Sequence, residues 1–218
     1  MAQLLSSFIP AAETNSKRLL IALHGLGDSA AGYTWMPDEL GLPWLNYQLV
    51  NAPDFYYGGY SWFDIQGDRR PGIDRSRQLL VELLDENRAR GFATSDTVLF
   101  GFSQGCLMTL ETGLRYPHLF AALIGISGFL PDYERLLKEV SPVARQQRVL
   151  VTHGTQDPML ECKSVRAQMA ALKSSGIDLT WQEYPKAHTI HGEQEIRRIR
   201  EFIVSSFDTP EQSHPTAR

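Results

Sequence analysis

The chain has 218 residues, with 21 Lys and Arg against 25 Asp and Glu and a net charge of −4 at pH 7. This length suits one domain with a substantial core, and we expect a single domain over 1–218. The acidic balance lacks the basic surface that nucleic acid or an anionic membrane requires, so it favours a small-molecule or protein substrate.

The N-terminal segment and the cysteines bear on location. Residues 1–10 are mildly apolar but have no basic region, and they are too short for a signal-peptide core or a membrane span. The two cysteines, Cys106 and Cys162, do not suggest the disulfide framework of a small secreted domain. Both features predict a cytoplasmic protein.

The first strongly apolar run, R-L-L-I-A-L at 18–23, predicts a strand buried on both faces of a parallel sheet. The glycine-rich turn H-G-L-G-D at 24–28 follows, at the strand end where open α/β sheets bind ligands. One interpretation is a dinucleotide turn, G-x-G-x-x-A at 25–30, with Asn51 or Asp54 contacting the ribose. We favour the other, in which a backbone N–H of the turn stabilises an oxyanion, because a nucleophile follows downstream.

The next elements are a strand, an aromatic segment and a long helix. A second strand is predicted at 47–51. The aromatic run at 55–64 has no single period and predicts an irregular loop or an edge hairpin over the core, in which Trp62 is the ring we expect beside the substrate. Residues 72–90 carry a leucine stripe opposite a charged face and end at Gly91, which predicts a crossover helix.

The sequence V-L-F-G-F-S-Q-G-C at 98–106 contains G-x-S-x-G, the pattern of a nucleophile elbow. A serine hydroxyl stands above the end of a sheet only if the backbone turns sharply, and Gly101 and Gly105 remove the Cβ atoms that would clash. The β-rich run at 97–100 and the helical spacing of apolar residues after the serine supply the required context. The sequence therefore predicts Ser103 as a nucleophile.

After the elbow we predict a buried strand at 121–126 and an irregular or short-helical stretch at 127–147, which is too short for a lid domain. A strand at 148–151 leads into H-G-T-Q-D-P at 153–158, where Asp157 stands as the acid that follows the nucleophile in chain order. The competing interpretation of Asp-Pro is simple turn chemistry. The active site should be fairly open.

The last elements are a helix that stops at Gly176, an edge strand at 177–181 and a closing helix. His188 lies between the last two, where the base belongs. His191 is almost at the start of the closing helix, where the dipole disfavours a protonated imidazole, so it is predicted to be a surface or capping residue. The polar residues 208–218 predict a frayed tail.

Together these motifs resemble one family. H-G-L-G-D, S-W-F-D at 61–64, G-F-S-Q-G, H-G-T-Q-D-P and A-H at 187–188 are similar to those of the acyl-protein thioesterase and small carboxylesterase family of α/β-hydrolases, over 17–202. The resemblance implies a mostly parallel sheet with helices on both faces and no large lid domain. It also implies hydrolysis of acyl esters or thioesters, with an acylated protein or a lysophospholipid as the expected partner, and no cofactor.

The resemblance also assigns roles to residues. The triad is Ser103, Asp157 and His188, and the backbone N–H groups of Leu26 and Gln104 form the oxyanion hole. For the substrate contacts we expect Trp62, Phe129 and Leu160. The chain departs from the family pattern at Ala187 and Cys106, where glycine is usual, and the loop between Asn51 and Ser61 looks shortened.

The sequence is compatible with three other functions. A serine peptidase on the same fold would need more substrate anchoring than a lidless chain of this length offers. A catalytically silent binding protein is disfavoured because all three triad residues are present. A metal site built from His153, Asp157, His188 and His191 is disfavoured because no H-E-x-x-H or paired-cysteine spacing occurs, so no metal is predicted.

Overall fold

The computed structural model of the protein describes residues 3–190 and 192–207. Seven strands form the central sheet in the order β1-β3-β2-β6-β7-β8-β9, and only β1 is antiparallel to its neighbour. The strands of the described residues are β1 Ser6–Ile9, β2 Leu19–Leu23, β3 Asn46–Val50, β4 Asp54–Tyr56, β5 Gly59–Ser61, β6 Thr97–Phe102, β7 Ala122–Ile126, β8 Arg148–Gly154 and β9 Asp178–Tyr184.

Helices cover both faces of this sheet, as expected from the sequence. They are α1 Met36–Leu40, α2 Arg70–Ala89, α3 Gln104–Gly113, α4 Tyr133–Glu139, α5 Cys162–Ser174 and α6 Gly192–Phe207. Residues of the inner strands β2, β3, β6, β7 and β8 enter opposite cores. Leu19 and Ile21 of β2 pack with α2 to α5, while Leu20 packs with α1 and α6. Each fully buried leucine contributes about 1.5–3 kcal/mol, which is why these strands are apolar on both faces.

The structure extends three of the predicted strands and adds one. β6 continues two residues beyond the predicted end, to Phe102, and β8 continues to Gly154, so that His153 lies within the strand. β9 continues three residues beyond its predicted end, to Tyr184. β1 was not predicted, because its residues are mostly exposed and carry no buried-strand pattern. It is held by backbone pairing with β3 at the sheet edge, from Ser6 opposite Val50 to Ile9 opposite Tyr47.

The aromatic segment contains a small hairpin that is separate from the main sheet. β4 and β5 pair antiparallel around Tyr57 and Gly58, which both have positive φ, 44° and 94°, as a two-residue hairpin turn requires. β5 is tied to the turn after β2, because Tyr60 N–H donates to Asp28 O at 2.9 Å and Gly27 N–H donates to Tyr60 O at 2.9 Å. The hairpin therefore braces the H-G-L-G-D turn.

Residues 127–147 form α4 and a 3₁₀ turn at Ala144–Gln146, in line with the predicted short-helical stretch. The predicted frayed tail at 208–218 lies outside the described residues. Within 3–190 and 192–207, no helix combines the length and the apolar character needed to cross a bilayer.

Candidate active site

Ser103 lies at a sharp turn between β6 and α3. Its φ of 53° and ψ of −114° are strained for a residue with a side chain, and such strain clusters at functional sites. A Cβ at Gly101 would overlap the Gly105 carbonyl, and a Cβ at Gly105 would overlap the Leu23 carbonyl at the end of β2. The two glycines let the elbow form and seat it on the neighbouring strand.

The structure brings Ser103, His188 and Asp157 together in one hydrogen-bonded chain. Ser103 Oγ lies 2.9 Å from His188 Nε2, and His188 Nδ1 lies 2.7 Å from Asp157 Oδ2. The side chain of Asp157 is fully buried and that of His188 is 11% exposed. All three residues follow carboxyl ends of parallel strands, because β6, β8 and β9 run in the same direction and end at one edge of the sheet.

The surroundings of Asp157 keep its carboxyl ionised. Burial raises the pKa of this carboxyl, but hydrogen bonds from His188 and from two backbone N–H groups outweigh burial and hold the pKa below its usual value. Those N–H groups belong to Met159 and Leu160, which each donate to Oδ1 at 2.9 Å. An ionised Asp157 requires the proton of neutral His188 to sit on Nδ1, which leaves Nε2 free to accept the serine proton.

His153 stabilises the loop that carries Asp157. Its ring stacks on Trp181 with centroids 5.8 Å apart, and its Nε2–H donates to Leu160 O at 3.0 Å. Burial lowers the pKa of His153, which keeps the ring neutral beside Asp157. Among the described residues no group of three or more His, Cys, Asp or Glu side chains could hold a metal ion, and His191, the fourth residue of that interpretation, lies outside them.

The H-G-L-G-D turn lies against the nucleophile. A Cβ at Gly25 would be 3.3 Å from the Cβ of Ser103, so the backbone of the turn approaches the serine closely. Among the described residues, neither the Leu26 N–H nor the Gln104 N–H donates to a backbone carbonyl in a turn, loop or cap. Their role as an oxyanion hole stays a prediction.

The same turn does not fit a dinucleotide. It is followed by a four-residue 3₁₀ turn at Ala30–Tyr33 and the five-residue α1, not by a long helix whose N-terminus could face a pyrophosphate. Asn51, one proposed ribose contact, instead accepts a hydrogen bond from Ala30 N–H at 2.7 Å. The other, Asp54, is paired with Arg75.

The predicted contact of Trp62 with substrate is wrong. Its side chain has no exposed surface, so a bound acyl group could not reach it. Instead, its indole Nε1–H donates to His24 O at 2.9 Å, and its backbone N–H donates to Gln104 Oε1 at 3.0 Å. The Gln104 side chain also donates from Nε2 to Phe63 O at 2.9 Å. Trp62 thus connects the two segments that carry the Leu26 and Gln104 amides.

His24 completes this support. Its Nδ1–H donates to Gly25 O at 2.6 Å, and its Nε2 accepts the Ala52 N–H at 3.0 Å. Burial lowers the pKa of His24, so the ring stays neutral, as the accepting Nε2 requires. The ring also packs on Trp62 with centroids 5.6 Å apart. The sequence did not indicate this role, because His24 reads only as part of a glycine-rich turn.

Replacing Trp62 with Phe should lower kcat about tenfold with little change in KM, because the His24 carbonyl loses its buried donor and the turn loses its orientation. The measurement is steady-state hydrolysis of an activated ester. Trp44→Phe is the matched control. Trp44 packs on Phe207 and lies just before β3 begins, so it is at the amino ends of the parallel strands, away from the site. Equal kcat values in the two variants would contradict a role for Trp62 at the site.

The other two predicted substrate contacts are half-buried and remain predictions. The Phe129 ring packs on Phe63 with centroids 6.5 Å apart, and the Leu160 side chain packs on the core. Neither Phe129 nor Leu160 lines the groove of 730 Å³ beside His188. The apolar part of its lining comes from Tyr33, Trp35, Phe102, Ile190 and Ile196, and Asp28, Glu39 and Glu193 add carboxylates. The sequence analysis did not predict the five apolar residues as substrate contacts.

The two departures from the family pattern are accommodated locally. The Cys106 thiol occupies the space where a Cβ at Gly125 or Gly128 would lie, so the extra atoms are matched by glycines opposite. Burial raises the pKa of Cys106 to about 12, which leaves it an unreactive thiol. Ala187 is exposed, and its carbonyl packs against Gly154.

A mostly parallel sheet with helices on both faces and a serine at a strand-to-helix elbow define an α/β-hydrolase. The chain belongs to the phospholipase/carboxylesterase family, whose model matches residues 5–206. An acyl-protein thioesterase 1 of Schizosaccharomyces pombe is 35% identical over 158 residues, covering 65% of this chain and 69% of that protein. A probable carboxylesterase of Oryza sativa subsp. japonica is 27% identical over an alignment that covers 93% of this chain and 82% of that protein.

A solved esterase structure has a similar fold. The crystal structure of esterase PE8 is similar with a TM-score of 0.84 and 28% identity, covering 94% of this chain and 99% of that one. The family and these relatives make the protein a hydrolase of the carboxylesterase and acyl thioesterase class.

Proposed function

We propose that the protein is a serine hydrolase that cleaves carboxylic esters and thioesters of acyl chains through an acyl-enzyme on Ser103. The observation that carries the proposal is the continuous hydrogen-bonded chain from Ser103 through His188 to the buried Asp157. His188 accepts the proton of Ser103 as Oγ attacks the acyl carbonyl, and Asp157 orients the ring and stabilises its charged form.

The backbone amides of Leu26 and Gln104 receive the oxyanion of the tetrahedral intermediate. Each donor of this kind supplies on the order of 3 kcal/mol of transition-state stabilisation. His188 then gives its proton to the leaving alcohol or thiol, and a water molecule repeats the sequence to release the acid. A thiolate leaves readily, so the same site serves both ester classes.

For the substrate we propose an acyl ester or thioester, with an acylated protein or a lysophospholipid as its natural form. The support is the family and the names of the relatives, together with a groove beside His188 that has an apolar part formed by Tyr33, Trp35, Phe102, Ile190 and Ile196. That part suits an apolar group held next to the base, while Asp28, Glu39 and Glu193 make the rest of the lining polar. No cofactor takes part in this mechanism.

The test is hydrolysis of p-nitrophenyl esters of rising chain length beside an acyl thioester, with labelling of Ser103 by a fluorophosphonate. A chain-length optimum and stoichiometric labelling are expected, and activity should survive EDTA. Absence of both labelling and turnover would indicate a binding protein, and anilide cleavage as fast as ester cleavage would indicate a peptidase. Loss of activity in EDTA would require a metal.

Replacing Asp157 with Asn should lower kcat about 10⁴-fold, because the amide no longer fixes the Nδ1–H tautomer of His188. Asp178→Asn is the matched control. Asp178 is exposed and opens β9 at the amino end of the strand, away from the site, so its loss should be small. Steady-state kinetics of both variants check the assignment, and equal losses would overturn it.

A further inference from the structure

A buried ion pair lies next to the loop that carries His188. Lys186 follows the end of β9 and Glu195 lies in the first turns of α6, and neither side chain is exposed to solvent. The Lys186 ammonium donates to Glu195 Oε1 at 2.6 Å and to Oε2 at 2.8 Å. The two residues are on either side of His188 in the chain.

The third ammonium proton closes the loop around His188. Lys186 Nζ donates to the Thr189 carbonyl at 2.7 Å, so the side chain before His188 binds the backbone just after it. Thr189 N–H in turn donates to Ala187 O at 2.9 Å. An ammonium has three donors, and all three are used here. The backbone of His188 is thereby enclosed in a hydrogen-bonded ring.

The same pair joins this loop to the strand that leads to Asp157. Thr152 of β8 donates its hydroxyl to Glu195 Oε1 at 2.5 Å. The backbone adds a second link, since Gln156 N–H donates to Lys186 O at 3.1 Å. A Cβ at Gly154 would overlap the Lys186 carbonyl, so the two segments are in direct contact. One carboxylate therefore connects β8, the His188 loop and α6.

Stability alone does not account for such a pair. Removing two charges from water costs several kcal/mol each, and well-packed apolar residues of similar volume are often equally or more stable. What an apolar pair cannot do is hold the Thr189 carbonyl in a fixed direction. The specific consequence of Lys186 and Glu195 is therefore the position of the loop between them.

We propose that Lys186 and Glu195 are positioning residues that hold His188 in line with Ser103 and Asp157, an inference that rests on the proposed function. They contact neither Ser103 nor Asp157 among the described hydrogen bonds, and they act through the loop. Without the ring around His188, its Nε2 would not remain 2.9 Å from Ser103 Oγ. A misplacement of about 1 Å at a catalytic group can cost about 100-fold in rate.

The test is the double variant Lys186→Met/Glu195→Leu, which replaces the charges with side chains of similar size. We expect kcat to fall about 100-fold with KM changed less than about threefold, while Tm moves only a few degrees. The downfield NMR resonance of the His188 Nδ1 proton, assigned by its absence in His188→Ala, should broaden or disappear. A purely structural role would leave that resonance and kcat in place.

The control is Arg115→Met/Glu111→Leu, which removes a buried pair in and just after α3, with side chains 6% and 2% exposed. This pair belongs to a network, because Glu111 also binds Arg70 and Arg115 also binds Glu139. Its kcat should stay close to that of the unaltered protein. If the Lys186 double variant does not fold, Glu195→Gln retains one acceptor for Lys186 and should show a smaller loss, of about tenfold, with the same weakened proton resonance.

Two results would overturn the proposal: an unaltered kcat and Nδ1 resonance in the double variant, or an equal loss of kcat in the Arg115 control. Failure of the proposed function is a separate result, because it would show as full hydrolysis by Ser103→Ala. An inactive Ser103→Ala protein beside a fully active double variant would reject only the positioning role.

Discussion

Replacing Ser103 with Ala should lower kcat by about 10⁶ on any ester substrate while the fold survives, as for other serine triads in which the nucleophile is removed. The reason is geometric. Ser103 Oγ is 2.9 Å from His188 Nε2, at the one turn where Gly25 brings the H-G-L-G-D backbone alongside. Residue 103 already has a strained φ of 53° with a Cβ atom present, and alanine has the same Cβ. The substitution should therefore affect folding little.

The measurement is kcat for p-nitrophenyl ester hydrolysis and the rate of fluorophosphonate labelling, with Tm as the check on folding. Ser164→Ala is the control, because Ser164 is exposed on α5 and should lose nothing. Full hydrolysis by purified Ser103→Ala protein would place the nucleophile elsewhere. Loss of hydrolysis together with a markedly lower Tm would instead indicate that the serine is needed for folding.

The elbow and the order of the candidate site residues were predictable from sequence because they rest on local backbone requirements. Gly101 and Gly105 are demanded by close contacts that any strand-to-helix turn of this sharpness creates. The buried parallel strands are apolar on both faces, so β2 and β7 also stood out.

The supports of the site were not predictable, because each depends on a contact between distant parts of the chain. Trp62 could be read as a substrate contact only because an aromatic residue in an irregular segment gives no sign of which side it faces. In the structure it binds His24 and Gln104, which are 38 and 42 residues away. A hydrogen-bond partner at such a separation leaves no periodicity in the sequence.

Lys186 shows the same limit for a charged residue. A lysine in a polar loop is normally a solvated side chain, and only the fold reveals that Glu195 and Thr189 surround it. The edge strand β1 was missed for a related reason, since its backbone pairs with β3 while most of its side chains face solvent. Hydrophobic patterns in a sequence indicate which side chains are buried. The position of Lys186 and the pairing of β1 depend instead on contacts with distant residues.

Replacing His188 with Ala should lower kcat/KM by about 10⁶, close to the loss expected for Ser103→Ala, because nucleophile and base act as a unit. The imidazole accepts the serine proton during the attack, so without the ring the residual rate should depend on hydroxide alone. The pH dependence of kcat/KM in the variant measures this.

Two histidine controls make this assignment specific. His118→Ala removes a ring that packs on Tyr116, three residues beyond the end of α3, and should leave the rate unchanged. His191→Ala tests the alternative base that is nearest in the chain, and we expect a change of less than about tenfold because His188 already makes the contacts with Asp157 and Ser103. Only His188 combines a 2.7 Å contact with the buried Asp157 and a 2.9 Å contact with Ser103 among the described histidines. An inactive His191→Ala beside an active His188→Ala would reverse the proton path proposed for the site.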